Sequence, residues 1–112
     1  MFKIHNSLFV LLLFISANVF SQFSLYTYVP DDNFEMYLES NGYGNGISND
    51  DSVSTFLISS VDELNINFLN ISDLTGIENF PSLEELECEY NNLTQLDLSN
   101  NYLLEELKCS GN

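Results

Sequence analysis

Carboxylates are the abundant reactive groups of this 112-residue chain: Asp and Glu number 17 against two Lys and Arg and one His, a formal net charge of −15. Glycoside hydrolysis by such groups needs two of them held in a cleft in unequal environments. Here they recur at short intervals, as Glu84-Glu85, Glu87 and Glu89 and again as Glu105-Glu106, which is the pattern of an open solvated face. The one histidine, His5, sits beside the apolar N-terminal run, so the rest of the chain has no nucleophile–His pair and no imidazole ligand. A loop with Asn41, Asn45, Gly46, Asp50 and Asp51 offers oxygen ligands near a glycine. With Gly46 at the sixth place of an EF-hand loop, however, the third place falls on Tyr43 and the twelfth on Ser52, so most carboxylate ligands are missing. We therefore expect no catalytic residue, no metal and no cofactor.

The elements that would position these groups are set by a repeat. Leu83-Glu-Glu-Leu86-Glu-Cys88-Glu-Tyr-Asn91 returns as Leu104-Glu-Glu-Leu107-Lys-Cys109-Ser-Gly-Asn112, an offset of 21 residues. Reading backward gives an earlier coil of 22 residues with inward positions Val61, Leu64, Ile66, Leu69, Ile71, Leu74, Ile77 and Phe80. In the second coil Leu93, Leu96 and Leu98 continue the apolar stripe. This spacing predicts one short parallel strand per coil, with Asn91 and Asn112 binding backbone inside the bend. Leu69 takes the asparagine slot in the first coil, as expected of a terminal repeat that meets a cap.

These coils, with the phrase Asn70-Ile-Ser-Asp-Leu-Thr-Gly-Ile77 and the segment Val29 to Leu38, resemble secreted bacterial leucine-rich-repeat proteins of the internalin-like kind. The cysteine in the strand is similar to one subfamily of them. The resemblance implies an α/β leucine-rich-repeat solenoid with an N-terminal helical cap, serving binding or adhesion. It also implies a longer product, because residues 104–112 only open a third coil.

Met1 to His5 with Lys3, an apolar run from Leu8 to Phe20 and small residues Val19 and Ser21 have the order of a signal peptide over residues 1–21. The run is short for a membrane span. Cleavage before Gln22 would remove that run, so no membrane insertion is expected after it, and would leave Lys108 as the only base, which excludes nucleic acid and a polybasic tether. Residues 22–60 read as a cap: a helix over about 31–41 opened by Pro30 with Asp32 and Glu35 as a capping box, a loop, and an extended run Val53–Ile58. The repeats then occupy 61–82, 83–103 and 104–112.

Cys88 and Cys109 share one inward slot a repeat apart. Parallel strands about 4.8 Å apart would stack their sulfurs. Export permits a disulfide, but side chains leaving in-register strands in the same direction approach poorly for one, so a ladder of packed thiols is favoured. The outward residues of the same strands form the expected binding face: Glu63, Asn65, Asn67 and Phe68, then Glu85, Glu87, Glu89 and Tyr90, then Glu106 and Lys108. Phe68 and Tyr90 share a slot and would stack beside an acidic column. Such a face suits a basic protein patch or a glycan on an extracellular or cell-surface module. The alternative is a targeting or carbohydrate-binding module of a larger secreted enzyme.

Overall fold

The computed structural model describes residues 24–112, so the leader read at 1–21 lies outside the described residues. Strand β1 is Tyr26–Tyr28, followed by helix α1 (Asp32–Ser40), strand β2 (Ser52–Ser54) and a helical turn α2 (Thr55–Ile58). Strands β3 (Glu63–Asn65), β4 (Glu85–Glu87) and β5 (Glu106–Lys108) complete the order, with a 3₁₀ turn at Ile77–Asn79 between β3 and β4. Among the described residues no helix is long and apolar enough to cross a membrane.

Helix α1 starts one residue before the expected capping box. Asp31 is the N-cap, its Oδ1 accepting from the amides of Asn33 (3.0 Å) and Phe34 (3.1 Å). Its Oδ2 accepts from the amides of Ser72 (2.8 Å) and Asp73 (3.1 Å), so one carboxylate ties the helix to the first coil. Glu35 takes no part in capping. It is only 1 % exposed and its Oε1 accepts from the amides of Asp50 (2.9 Å) and Ser52 (3.2 Å), because the loop after α1 turns its N–H groups inward there. Asn41 closes the helix with its side chain on the Tyr37 carbonyl, and Gly42 follows at φ +88°. Phe34 and Leu38 are fully buried, and the Phe34 ring stacks on Phe80 at 6.4 Å, carrying the apolar core from helix to coil.

The run Val53–Ile58 is extended only as far as Ser54. The Ser54 hydroxyl accepts from the Leu57 amide and opens α2, which buries Ile58 and leaves Phe56 and Leu57 outside. Strand β2 pairs antiparallel with β1, matching Thr27 to Val53. The chain leaving β1 then crosses close behind the first coil. A Cβ on Gly76 (φ +108°) would lie 2.8 Å from Val29 Cγ2 and 2.9 Å from the Tyr28 carbonyl oxygen, so this crossing requires glycine.

Strands β3, β4 and β5 form a parallel sheet in the order of the chain. Glu63 faces Glu85 and Glu85 faces Glu106, offsets of 22 and 21 residues that equal the spacing of the inward leucines. Both coils therefore present their strands in register, and the first coil accommodates its extra residue behind the sheet. Val61, Leu64, Ile66, Ile71, Leu74, Ile77 and Phe80 of the first coil are buried, as are Leu83, Leu86, Cys88 and Leu93 of the second. At about 25 cal/mol per Å² of apolar surface removed from water, this stripe is the main favourable term holding the coils together. Leu69 packs only partly against that core.

Candidate functional site

Because β3, β4 and β5 are parallel and in register, residues at equal places in the repeat fall into rows across the sheet. The first row is Glu63, Glu85 and Glu106. Repulsion from Glu106 is the chief reason that the Glu85 carboxyl titrates above the ordinary glutamate range, with Lys108 opposing it. The second row is Asn65, Glu87 and Lys108, and it is zipped shut. Both oxygens of Glu87 are engaged: Oε2 accepts from Asn65 Nδ2 (2.8 Å) and Asn67 Nδ2 (2.9 Å), and Oε1 from Lys108 Nζ (2.7 Å). Lys108 also lies 3.5 Å from Glu106 and 3.8 Å from Glu85. The hydrogen bond from Lys108 holds the Glu87 carboxyl below its ordinary range. Glu87 thus acts as a hub of the sheet.

In the third row Asn67 Oδ1 accepts from the Glu89 amide (2.6 Å), and the Ser110 hydroxyl donates to Glu89 Oε1 (2.8 Å). The fourth row is Phe68, Tyr90 and Gly111. Phe68 and Tyr90 stack at 4.6 Å with only 10° between their planes, while remaining 70 % and 53 % exposed. All three residues have positive φ, +58°, +54° and +75°. That backbone is comfortable for glycine and costs a bulky side chain about 1 kcal/mol or more. The third coil places its glycine where a Cβ would meet the Tyr90 ring at 2.4 Å, so Tyr90 lies directly over Gly111.

Behind these rows two asparagines secure the bend. Asn91 Oδ1 accepts from the amides of Leu69 (3.0 Å) and Ile71 (3.1 Å), and its Nδ2 donates to the carbonyls of Ile66 (2.8 Å) and Cys88 (3.2 Å). Asn112 repeats this one coil on, accepting from Leu93 and donating to Cys88 and Cys109. In the first coil, which has Leu69 in that slot, helix α1 supplies polar partners: Asn33 Nδ2 donates to the Asn70 carbonyl (3.0 Å), and Asp31 takes Ser72 and Asp73. A buried amide absent from the sequence expectation is Asn101, whose Nδ2 donates to the carbonyls of Ile77 (2.8 Å) and Phe80 (3.3 Å). Its position just after the inward Leu98, in a second Asn-rich corner, was the available signal.

Cys88 and Cys109 directly follow β4 and β5 as thiols, not joined in a disulfide. Their surroundings differ. Cys88 is fully buried and its thiol is pushed up to about 11 by loss of hydration, whereas Cys109, just after the outermost strand, is exposed. A concavity of about 480 Å³ lies behind the sheet, between Asp73–Glu78 and Gln95–Asp97, away from the rows.

No family model matches the chain. Over 72 residues, 64 % of this chain, it is 36 % identical to internalin J of Listeria monocytogenes serotype 4b, and it spans 8 % of that protein's length. The fold is similar to the functional domain of InlJ from Listeria monocytogenes, a structure described as including a cysteine ladder, with a TM-score of 0.56 and 28 % identity. That likeness covers 72 % of this chain and 20 % of the other. Homology, shared fold and the equivalent places of Cys88 and Cys109 together support an internalin-like leucine-rich-repeat protein with cysteine in its repeats.

Proposed function

We propose that this chain is an exported, non-catalytic module for protein interaction or adhesion at or beyond the bacterial surface, and that it contacts its partner through the strand face. The observation that carries this reading is the Phe68–Tyr90 stack. Two large rings are left in water on the left-handed backbone that all three coils share at this slot, beside Glu89 and on the same face as the first row of carboxylates. Exposed aromatic groups beside charge are typical anchors of protein interfaces. Glu63, Glu85 and Glu106 would meet a basic patch, with Glu89 at the edge of the same contact. Glu87 and Lys108 satisfy each other and contribute indirectly, by holding the neighbouring rows in register.

A carbohydrate-binding module of a larger secreted enzyme would use ring faces as sugar platforms. One face of each ring is already taken by the other, and Tyr90 also covers Gly111, which favours a protein partner. The test is an array of secreted proteins and glycans probed with the full chain, followed by titration of each hit. Phe68→Ser and Tyr90→Ser should each weaken the genuine partner at least about tenfold, since interface hot spots cost about 2 kcal/mol or more. Binding confined to glycans, or indifferent to both substitutions, would overturn the proposal.

A further inference from the structure

The strongest unassigned feature lies far from the strand face, where α1 meets the loop that follows it. Carboxylate oxygens of Glu35, Glu39 and Asp50 lie within 4.8 Å of one another. Glu35 is 1 % exposed, and while its Oε1 accepts two loop amides, its Oε2 is buried with no hydrogen-bond partner among the described residues. A buried carboxylate oxygen left bare calls for a cation or a proton.

We propose that Glu35, Glu39 and Asp50 bind one calcium ion, which joins helix α1 to the loop through Asp50. Two oxygens bonded to the same calcium at 2.3–2.6 Å can be at most about 5 Å apart, and the trio falls within that reach. Magnesium, which demands a near-ideal octahedron and gives up its waters reluctantly, is seldom held by three carboxylates. The donor set is all oxygen, as a hard cation requires, and it includes no histidine or thiol.

The ligands are already braced. The Asn49 amide donates to Glu39 Oε1 (3.2 Å), Asn45 Nδ2 donates to Asp50 Oδ2 (2.8 Å), and the Ser52 amide donates to Asp50 Oδ1 (3.2 Å). Asp32 and Asp51 form a second trio with Glu35, but both are exposed, whereas Glu39 is partly enclosed, so the first trio excludes more water. The EF-hand template does not find this arrangement because two of its three carboxylates come from the preceding helix.

The experiment is calorimetric and terbium-luminescence titration of the full chain in about 0.15 M salt, which suppresses loose counterion association with an acidic surface. One calcium per chain should bind with a Kd of roughly 0.1–1 mM, the range of extracellular modules, and the thermal midpoint should rise with calcium over chelator. Magnesium should bind at least about tenfold more weakly. Glu39→Gln and Asp50→Asn, at sites with solvent access, should each weaken calcium at least about tenfold, while Glu105→Gln in the repeats should leave it unchanged. Lack of saturable binding, or binding untouched by Glu39→Gln and Asp50→Asn, would overturn the site. So would a midpoint that ignores calcium yet rises on acidification in chelator, which would assign the bare oxygen to a proton.

Discussion

The two halves of the molecule solve the same problem with different side chains. Between β1 and α2 the two side chains that each gather several backbone groups are the carboxylates of Asp31 and Glu35, and every one of their backbone partners is an N–H. Among the coils the groups are amides, Asn91, Asn101 and Asn112, and most of these face carbonyls as well as N–H groups. A carboxylate only accepts, whereas an amide both donates and accepts. A loop that turns amides inward from one side needs an acid. A bend that is repeated coil on coil exposes both kinds of backbone group, and an amide can serve both where a carboxylate cannot.

Exchanging the two chemistries is the most direct way to break this contrast, and the greatest loss should come from the coils. Asn91→Ala would strand amides and carbonyls together, costing about 4 kcal/mol in denaturant unfolding of the full chain. Asn91→Asp keeps the acceptor but sets a carboxyl against the Ile66 and Cys88 carbonyls. Desolvation would raise its pKa above the ordinary value of about 3.9, so stability should recover as pH falls through that raised value. If Asn91→Asp matched the parent at neutral pH, the donor half of the argument would be wrong.

At the junction of the halves, Gly76→Ala should cost about 2 to 3 kcal/mol, because left-handed backbone and the short contacts with Tyr28 and Val29 act together. A crystal structure of the variant should show β1 displaced. Asp31→Ala should cost about 2 kcal/mol through loss of the cap and the two coil amides, and Asp31→Asn about half that, since one oxygen is retained. Equal losses for the two variants would mean that the second oxygen does nothing.

Cys88→Ala should cost about 1 to 2 kcal/mol through lost packing, and reductant should not change the parent's midpoint. In the native chain an alkylating reagent near pH 8 should modify Cys109 well before Cys88; mass spectrometry showing the opposite order would refute the burial difference. The smallest effect concerns Lys108. Lys108→Met should move the Glu87 carboxyl upward in an NMR titration, with little change in the midpoint. Glu87, held low, contributes stability that is lost as pH falls through its folded pKa; Glu85, held high, regains stability over its own titration, so the two oppose each other.

The repeat was legible because each inward position recurs at one spacing, and the strand register has that same spacing. The proximity of Phe68 and Tyr90 was legible for the same reason, since equal places in successive coils become neighbours. Their left-handed backbone was not, because neither residue type announces it. Glu35 was misread as half of a capping box because its spacing from Asp32 fits one, and nothing local says that amides from Asp50 and Ser52 would cover it. The second duty of Asp31 depends on Ser72 and Asp73, some forty residues onward, and no local pattern carries that. Val53–Ile58 is rich in the β-branched and aromatic residues that strands favour, and only the Ser54 cap decides for a helical turn.

The unequal offsets of the strands, 22 residues and then 21, have a consequence for how such a chain can change. The sheet keeps its register although one coil is longer, so the difference is taken up in the segment behind it, around Gly76 and the Ile77–Asn79 turn. Lengthening or shortening that rear segment leaves every outward residue opposite the same neighbour. Insertions there are a route by which the array can alter its curvature while the message written across its front stays in frame.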